Sequence, residues 1–180
     1  ILDAFRENKQ ILKNPECTVH DIGDGVMCIE FQTKGNSIGE GIAKGINEAI
    51  DIAERDGWNG IVIGNNDKQF SVGANLMNMG MMAMQKNFDA IEEFLVGFQK
   101  ILMRMRTCNV PVVSATHGFV MGGGLEVSIH CDAGIHASES YIGLVEAGVG
   151  LIPGGGGTKE MAMRASDSFN SGDVKMPSLI

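Results

Sequence analysis

Three glycine-rich segments hold the residues whose types and spacing could do chemistry. The stretch Gly118-Phe119-Val120-Met121-Gly122-Gly123-Gly124-Leu125-Glu126 follows an apolar, β-branched run and opens a helical pattern. Its consecutive glycines let the backbone approach a ligand closely. They leave unpaired amides at the positive end of a helix, which suits an anion or a developing oxyanion. Glu126 falls in the first helical turn beside that point. The same glycines also permit close helix-on-sheet packing, with Glu126 complementing the helix dipole. The segment Phe70-Ser71-Val72-Gly73-Ala74-Asn75-Leu76 follows a strand and turn and could present a second amide. Two amides from separate loops converging on one carbonyl oxygen would form an oxyanion hole, whereas an ordinary glycine turn would leave the same trace. In the third segment, Gly143 to Gly154, Glu146 stands alone in an apolar run. Such surroundings favour the neutral form of a carboxyl, the condition for a general acid near neutral pH. A capping or solvent-facing glutamate is the plainer alternative.

Other chemistries fail on spacing. Gly148-Val149-Gly150-Leu151-Ile152-Pro153 places Pro153 at the third glycine of a dinucleotide fingerprint, and Gly154 to Lys159 lacks the spacing of a phosphate-binding loop. His130, Cys131 and His136 match no common metal-ligand spacing, so buried structural roles are expected and no metal. Ser114, Ser128 and Ser140 lack a nucleophile elbow. The methionines 77, 79, 81, 82 and 84 read either as core or as the flexible wall of an acyl pocket.

The elements that must position these segments alternate in period. Residues 1–15 end at Pro15 and predict a short helix or linker ahead of the domain. Val19 and Ile22, then Val26, Ile29 and Phe31, flank Gly23-Asp24-Gly25, a hairpin turn that tolerates positive φ. Ile42, Ile46, Ala49, Ile50 and Ala53 recur at helical spacing up to Gly57, and Gly60 to Gly64 reads as a buried strand. A longer helix carries Phe88, Ile91, Phe94, Leu95, Phe98, Ile101, Leu102 and Met105. Strands follow at Val110 to Val113, Ala133 to His136 and Tyr141 to Leu144, with a helix from Gly124 to Cys131 between. This alternation predicts an α/β fold with parallel pairing, a core over residues 16–165, and a polar loop or tail at 166–180.

Composition excludes several classes. With 44% hydrophobic and 20% charged residues over 180 positions, the chain can bury a core, and it has no run suited to a membrane span. Gly supplies 25 residues, about twice the usual ~7%, without a collagen period, so tight turns are expected. A net charge of −8 repels phosphate backbones and argues against nucleic acid as partner. Cys17, Cys28, Cys108 and Cys131 form neither a CxxC pair nor a dense framework and read as reduced core thiols. Together with the absence of a secretory signal at Ile1-Leu2-Asp3, they predict a cytoplasmic protein, possibly cut from something longer.

Taken in order, Phe70 to Leu76, then His117 to Glu126 with Cys131-Asp132, then Glu146 to Gly154 with Thr158, resemble the enoyl-CoA hydratase/isomerase (crotonase) superfamily. The Val72-Gly73-Ala74-Asn75 variant and the polar segment after Arg164 are most similar to the hydratase part of bacterial fused 3-hydroxyacyl-CoA dehydrogenase/enoyl-CoA hydratases. The resemblance implies a crotonase-like β/α spiral. It assigns the oxyanion hole to the amides of Ala74 and Gly123 and the acid–base work to Glu126 and Glu146. Contact with a coenzyme A thioester would fall to Lys68, Ser71, Gly73, Asn75, Leu76 and Gly122. In the implied reaction the hole polarises the thioester, Glu126 takes a proton from the attacking water, and Glu146 protonates Cα. No cofactor is implied for hydration, and NAD would belong to a fused dehydrogenase outside this chain. The pair of glutamates favours hydration over Δ3-Δ2 isomerisation, in which one glutamate shuttles a proton. Family members continue with helices that cover the acyl pocket and build oligomers, and nothing after Arg164 resembles them. A chain that binds acyl-CoA without turnover is therefore the alternative from another class.

Overall fold

The computed structural model describes residues 9–170. Strands β1 (Gln10–Lys13), β2 (Cys17–Asp21), β3 (Val26–Phe31), β4 (Gly60–Ile63), β5 (Val112–Thr116) and β7 (Ala133–His136) form one six-stranded sheet in the order β1-β2-β3-β4-β5-β7. The first three pair antiparallel and the rest parallel. Strands β6 (Phe119–Met121) and β8 (Tyr141–Gly143) form a second, two-stranded parallel sheet.

Local chemistry explains the turns. Gly23, Asp24 and Gly25 all have positive φ between β2 and β3, as the hairpin reading requires. The expected helix or linker before Pro15 is corrected: Gln10–Lys13 is a strand on the edge beside β2, and the expectation for residues 1–8 lies outside the described residues. Asn14 makes the difference, because its side-chain oxygen accepts the Glu16 and Cys17 amides at 2.8 and 2.9 Å. That folds Asn14 and Pro15 into a turn where Pro15 alone reads as a helix stop.

Helix α1 (Glu40–Asp56) buries Ile42, Ile46, Ala49, Ile50 and Ala53 against the sheet and stops at Gly57, whose φ of 72° and ψ of 40° suit a left-handed cap. Its N-terminus has no cap of its own, and Glu16 reaches across to accept the Ile42 amide at 3.1 Å. The core joins this helix to Val19, Met27, Ile29, Phe31, Ile61, Ile63 and Val112. Each such side chain contributes about 1.5–3 kcal/mol of transfer free energy. Helix α2 (Leu76–Met84) has no buried residue, which overturns the core reading of the methionines: Met77, Met81 and Met84 are exposed.

Helix α3 (Phe88–Thr107) buries only Phe98, Leu102 and Met105, so the long apolar stripe packs tightly in its second half. The first half borders a cavity of about 570 Å³ lined by Met82, Phe94 and Phe98 among others. Helix α4 is Gly123–His130, and α5 is Gly157–Asn170. The expected loop at Ser166 to Asn170 is therefore helical, because the buried Glu160 ties α5 down while its polar residues face solvent. The expectation for residues 171–180 lies outside the described residues.

Candidate active site

The two glycine segments meet back to back. Ile38 pairs with the chain at Ala74: the Ile38 amide donates to the Gly73 carbonyl at 2.8 Å and the Asn75 amide to the Ile38 carbonyl at 3.2 Å. Alternation along that short bridge turns the intervening Ala74 N–H the other way. Gly123 opens α4, where an amide has no intrahelical partner. A methyl group built on Gly123 would lie 3.3 Å from the Ala74 nitrogen, and one on Gly73 would lie 3.1 Å from the Gly123 nitrogen and 2.8 Å from the Met121 carbonyl. Only glycine permits this approach, and Gly73 also has a φ of 94°. Neither the Ala74 nor the Gly123 amide has an acceptor among the described residues. Both donors are therefore free, as the two amides of an oxyanion-binding site would be.

Ser71 builds this junction from beneath. It is fully buried, its hydroxyl donates to the Asn36 carbonyl at 2.7 Å, and it accepts the Gly73 amide at 3.1 Å. Its side chain is thereby committed to the loop's shape. Asn75 caps α2 by accepting the Asn78 amide at 3.3 Å, and Leu76 and Lys68 are exposed nearby in the chain. The Lys68 carbonyl would lie 2.5 Å from a methyl on Gly118, a residue with a φ of 56° that turns the chain into β6.

The two glutamates stand on either side of the α4 entrance. Gly122, with a φ of 51°, donates to the Gly143 carbonyl at 2.9 Å and so ties the end of β8 to the start of α4. Three residues on, the 3-10 turn Glu146–Val149 brings the half-buried Glu146 over Gly122, its Oε1 3.0 Å from where a methyl there would sit. The Glu146 Oε2 atom is buried with no hydrogen-bond partner among the described residues. Such an orphaned acceptor in a pocket fits a bound water or substrate group.

Glu126 is almost fully buried one turn into α4. Burial raises its pKa above the ordinary value, and the Glu146 charge pushes in the same direction, while the Gly157 and Gly155 amides oppose. The Gly157 amide, first of α5, donates to Glu126 Oε1 at 2.8 Å. A methyl on Gly155 would sit 2.6 Å from Glu126 Oε2. The run Gly154 to Gly157 was legible only as a failed phosphate loop, and its part in cradling Glu126 was missed. The signal available was the run of four glycines itself.

The remaining polar groups of α4 are paired structurally. Ser128 bonds Ser114 at 2.8 Å, and His130 Nδ1 lies 2.7 Å from the Glu126 carbonyl. His136 bonds Thr116 at 2.6 Å on β5, away from His130. All four cysteines are free, and burial pushes the Cys28 and Cys131 thiols up to about 12. No helix among the described residues is long and apolar enough to cross a membrane.

A six-stranded mixed sheet with the Gly73 loop packed against the start of α4 is the crotonase fold. The chain belongs to the enoyl-CoA hydratase/isomerase family, whose pattern it matches over residues 21–171. It is 42% identical over 175 residues to a "Probable 3-hydroxyacyl-CoA dehydrogenase" of Bacillus subtilis (strain 168), covering 94% of this chain and 22% of that protein. It is 37% identical over 103 residues to a crotonyl-CoA hydratase of Syntrophomonas wolfei, covering 56% of this chain and 37% of that one. The chain thus spans about a fifth to two fifths of the length of these relatives. A crystal structure of an enoyl-CoA hydratase from Polaromonas sp. JS666 superposes with a TM-score of 0.78 at 23% identity, over 82% of this chain and 58% of that one.

Proposed function

We propose that this site adds water to a trans-2-enoyl-CoA thioester to give the 3-hydroxyacyl-CoA, as the hydratase portion of a longer fatty-acid-degrading polypeptide that also carries 3-hydroxyacyl-CoA dehydrogenase activity. The observation that carries the reading is a pair of carboxylates, Glu126 and Glu146, close enough for their charges to interact, with Glu146 against Gly122 next to the free Gly123 amide. The similarity to a named crotonyl-CoA hydratase and to a named dehydrogenase of much greater length supports the same reading.

The thioester oxygen accepts from the two amides, which draws electron density away from Cβ. Glu126, ionised and fixed by the Gly157 amide, takes a proton from water as the hydroxyl bonds to Cβ. Glu146 delivers a proton to Cα, so one water is added across the double bond. Transfer of the proton from Glu126 to Glu146 restores the starting state. The raised pKa makes Glu126 a stronger base toward that water. The four free cysteines support a reducing compartment, the cytoplasm, as the setting.

The test is loss of the conjugated-thioester absorbance when the full-length protein meets crotonyl-CoA, beside Glu126→Gln and Glu146→Gln. Hydration by the parent and loss in both variants is expected. Appearance of that absorbance from a 3-enoyl-CoA, without hydration of the 2-enoyl isomer, would replace hydration by isomerisation.

A further inference from the structure

Glu126 receives its hydrogen bond from a loop that no side chain can brace on the active-site side. Methyl groups on Gly155 and Gly157 would come within 2.6 and 3.0 Å of the Glu126 carboxylate oxygens, so both positions must stay bare. What holds the Gly157 amide in place has to come from behind the loop. One turn into α5, Glu160 is fully buried. Its carboxylate pairs with Arg106 on α3 and lies 3.1 Å from Lys159 Nζ. On α4, His130 Nε2 faces Glu160 Oε1 at 3.6 Å. Since His130 Nδ1 lies against the Glu126 carbonyl, an acceptor, that nitrogen carries the ring hydrogen. The bare Nε2 of His130 faces Glu160 Oε1 with no hydrogen bond between them, so the Glu160 carboxylate is held by the charges of Arg106 and Lys159.

We propose that Glu160 is a positioning residue which, through its buried ion pair with Arg106, fixes the start of α5 behind Glu126 and keeps the Gly157 amide on the Glu126 carboxylate. This rests on the hydration reading, in which Glu126 must be ionised to take a proton from water. Three elements converge on it: α3 supplies Arg106, α4 supplies His130 and Glu126, and α5 supplies Glu160 and Lys159. Glu160 is fully buried, with its carboxylate on Arg106 and Lys159 and not on Glu126. Its influence passes through the loop.

The positioning role and a bare electrostatic role predict opposite signs. Replacing Glu160 by Gln removes a negative charge and leaves Arg106 and Lys159 uncompensated, which by charge alone would make Glu126 more acidic. Loosening the loop removes an amide from the Glu126 carboxylate and makes it less acidic. The experiment is the pH profile of hydration by the full-length protein, parent against Glu160→Gln. A fall in kcat of about tenfold is expected, with KM within about twofold, and the acid limb should move up by roughly half a pH unit or more. Arg106→Lys keeps the charge, perturbs the fork geometry, and guards against a Glu160 variant that fails to fold. It should move the limb in the same upward direction by less. A limb that moves down in Glu160→Gln, or stays put in both variants, overturns the positioning role. If Glu126→Gln leaves hydration intact, it is the hydration reading that fails.

Discussion

The glycine loop around Glu126 allows a catalytic group to be displaced without being removed. In Gly155→Ala the new methyl would lie 2.6 Å from Glu126 Oε2, 2.9 Å from its Cδ and 2.7 Å from Phe98 Cε1, where ordinary contact begins near 3.4 Å. Phe98 is 5% exposed and stacks on Phe94 at 6.4 Å, so the ring has little room to retreat. Relief therefore requires the carboxylate or the loop to move by about 0.8 Å, the difference between 3.4 and 2.6 Å. Either movement weakens the 2.8 Å bond from the Gly157 amide and misplaces the base. A misplacement on that scale costs on the order of 10²-fold in rate, or about 2.7 kcal/mol of activation free energy. Overpacking should cost about 1–3 kcal/mol in stability as well.

The neighbouring Gly154→Ala is the internal control. Its methyl would meet Leu95 Cδ2 at 2.7 Å, the far end of a flexible chain, with nothing else closer than 4.0 Å. That variant should retain kcat within a few-fold. The assay is crotonyl-CoA hydration by absorbance, with thermal melting to confirm that both variants are folded at the assay temperature. Gly155→Ala at parental activity, or equal losses in the two variants, would refute the cradle around Glu126.

Further outcomes follow from the same geometry. Glu126→Gln and Glu146→Gln should each lose at least about 10²-fold in kcat, measured in the same assay. Gly73→Ala should lose about 10²- to 10³-fold, since the residue has a φ of 94° and its methyl would push against the Met121 carbonyl and the Gly123 amide; a full KM series tells loss of the hole from loss of binding. Because the folded-state pKa of Glu126 is raised above its ordinary 4.5, the ionised form is the destabilised one. The parent should therefore lose stability relative to Glu126→Gln as pH rises from 4.5 through the raised value, with a constant difference between them well below 4.5, as read by denaturant unfolding across that range. Burial holds the Cys17 thiol up to about 11 and those of Cys28 and Cys131 at about 12, so a thiol-specific reagent should label half-buried Cys108 first and leave the others until the protein unfolds.

What the sequence made legible divides by the range of the interactions. Helix α1 could be read because its five buried apolar residues lie in one periodic segment with a glycine stop. The β2–β3 hairpin could be read because Gly23-Asp24-Gly25 carries its own turn chemistry. The close approach of the Gly73 and Gly123 segments was reachable because glycine runs mark such approaches wherever they occur. The edge strand Gln10–Lys13 was not, since its state depends on pairing with β2 and on an Asn14 side-chain turn. The methionine run misled because hydrophobicity says nothing about which face finds a partner, and on α2 none is buried. Glu160 was invisible for the opposite reason: a glutamate after Lys159 looks like a solvated helix residue until Arg106 arrives from 54 positions away.

The site's construction also explains why so much of it is backbone. On the proposed reading, three of its contacts with substrate or base are amides: those of Ala74, Gly123 and Gly157. An amide has no rotamer freedom, so its direction is set wholly by the elements on either side. For Ala74 those are the bridge to Ile38 and the Ser71 hydroxyl; for Gly123, the Gly122 turn tied to Gly143; for Gly157, the Glu160 anchor in α5. Each donor is thus aimed by the groups that hold the backbone around it. Substitutions at those supporting positions should lower kcat more than they raise KM, because a misaimed donor loses most where charge develops in the transition state. A Ser71→Ala variant samples this directly: loss of the 2.7 and 3.1 Å bonds should lower kcat about tenfold with KM nearly unchanged, and a change confined to KM would count against the argument.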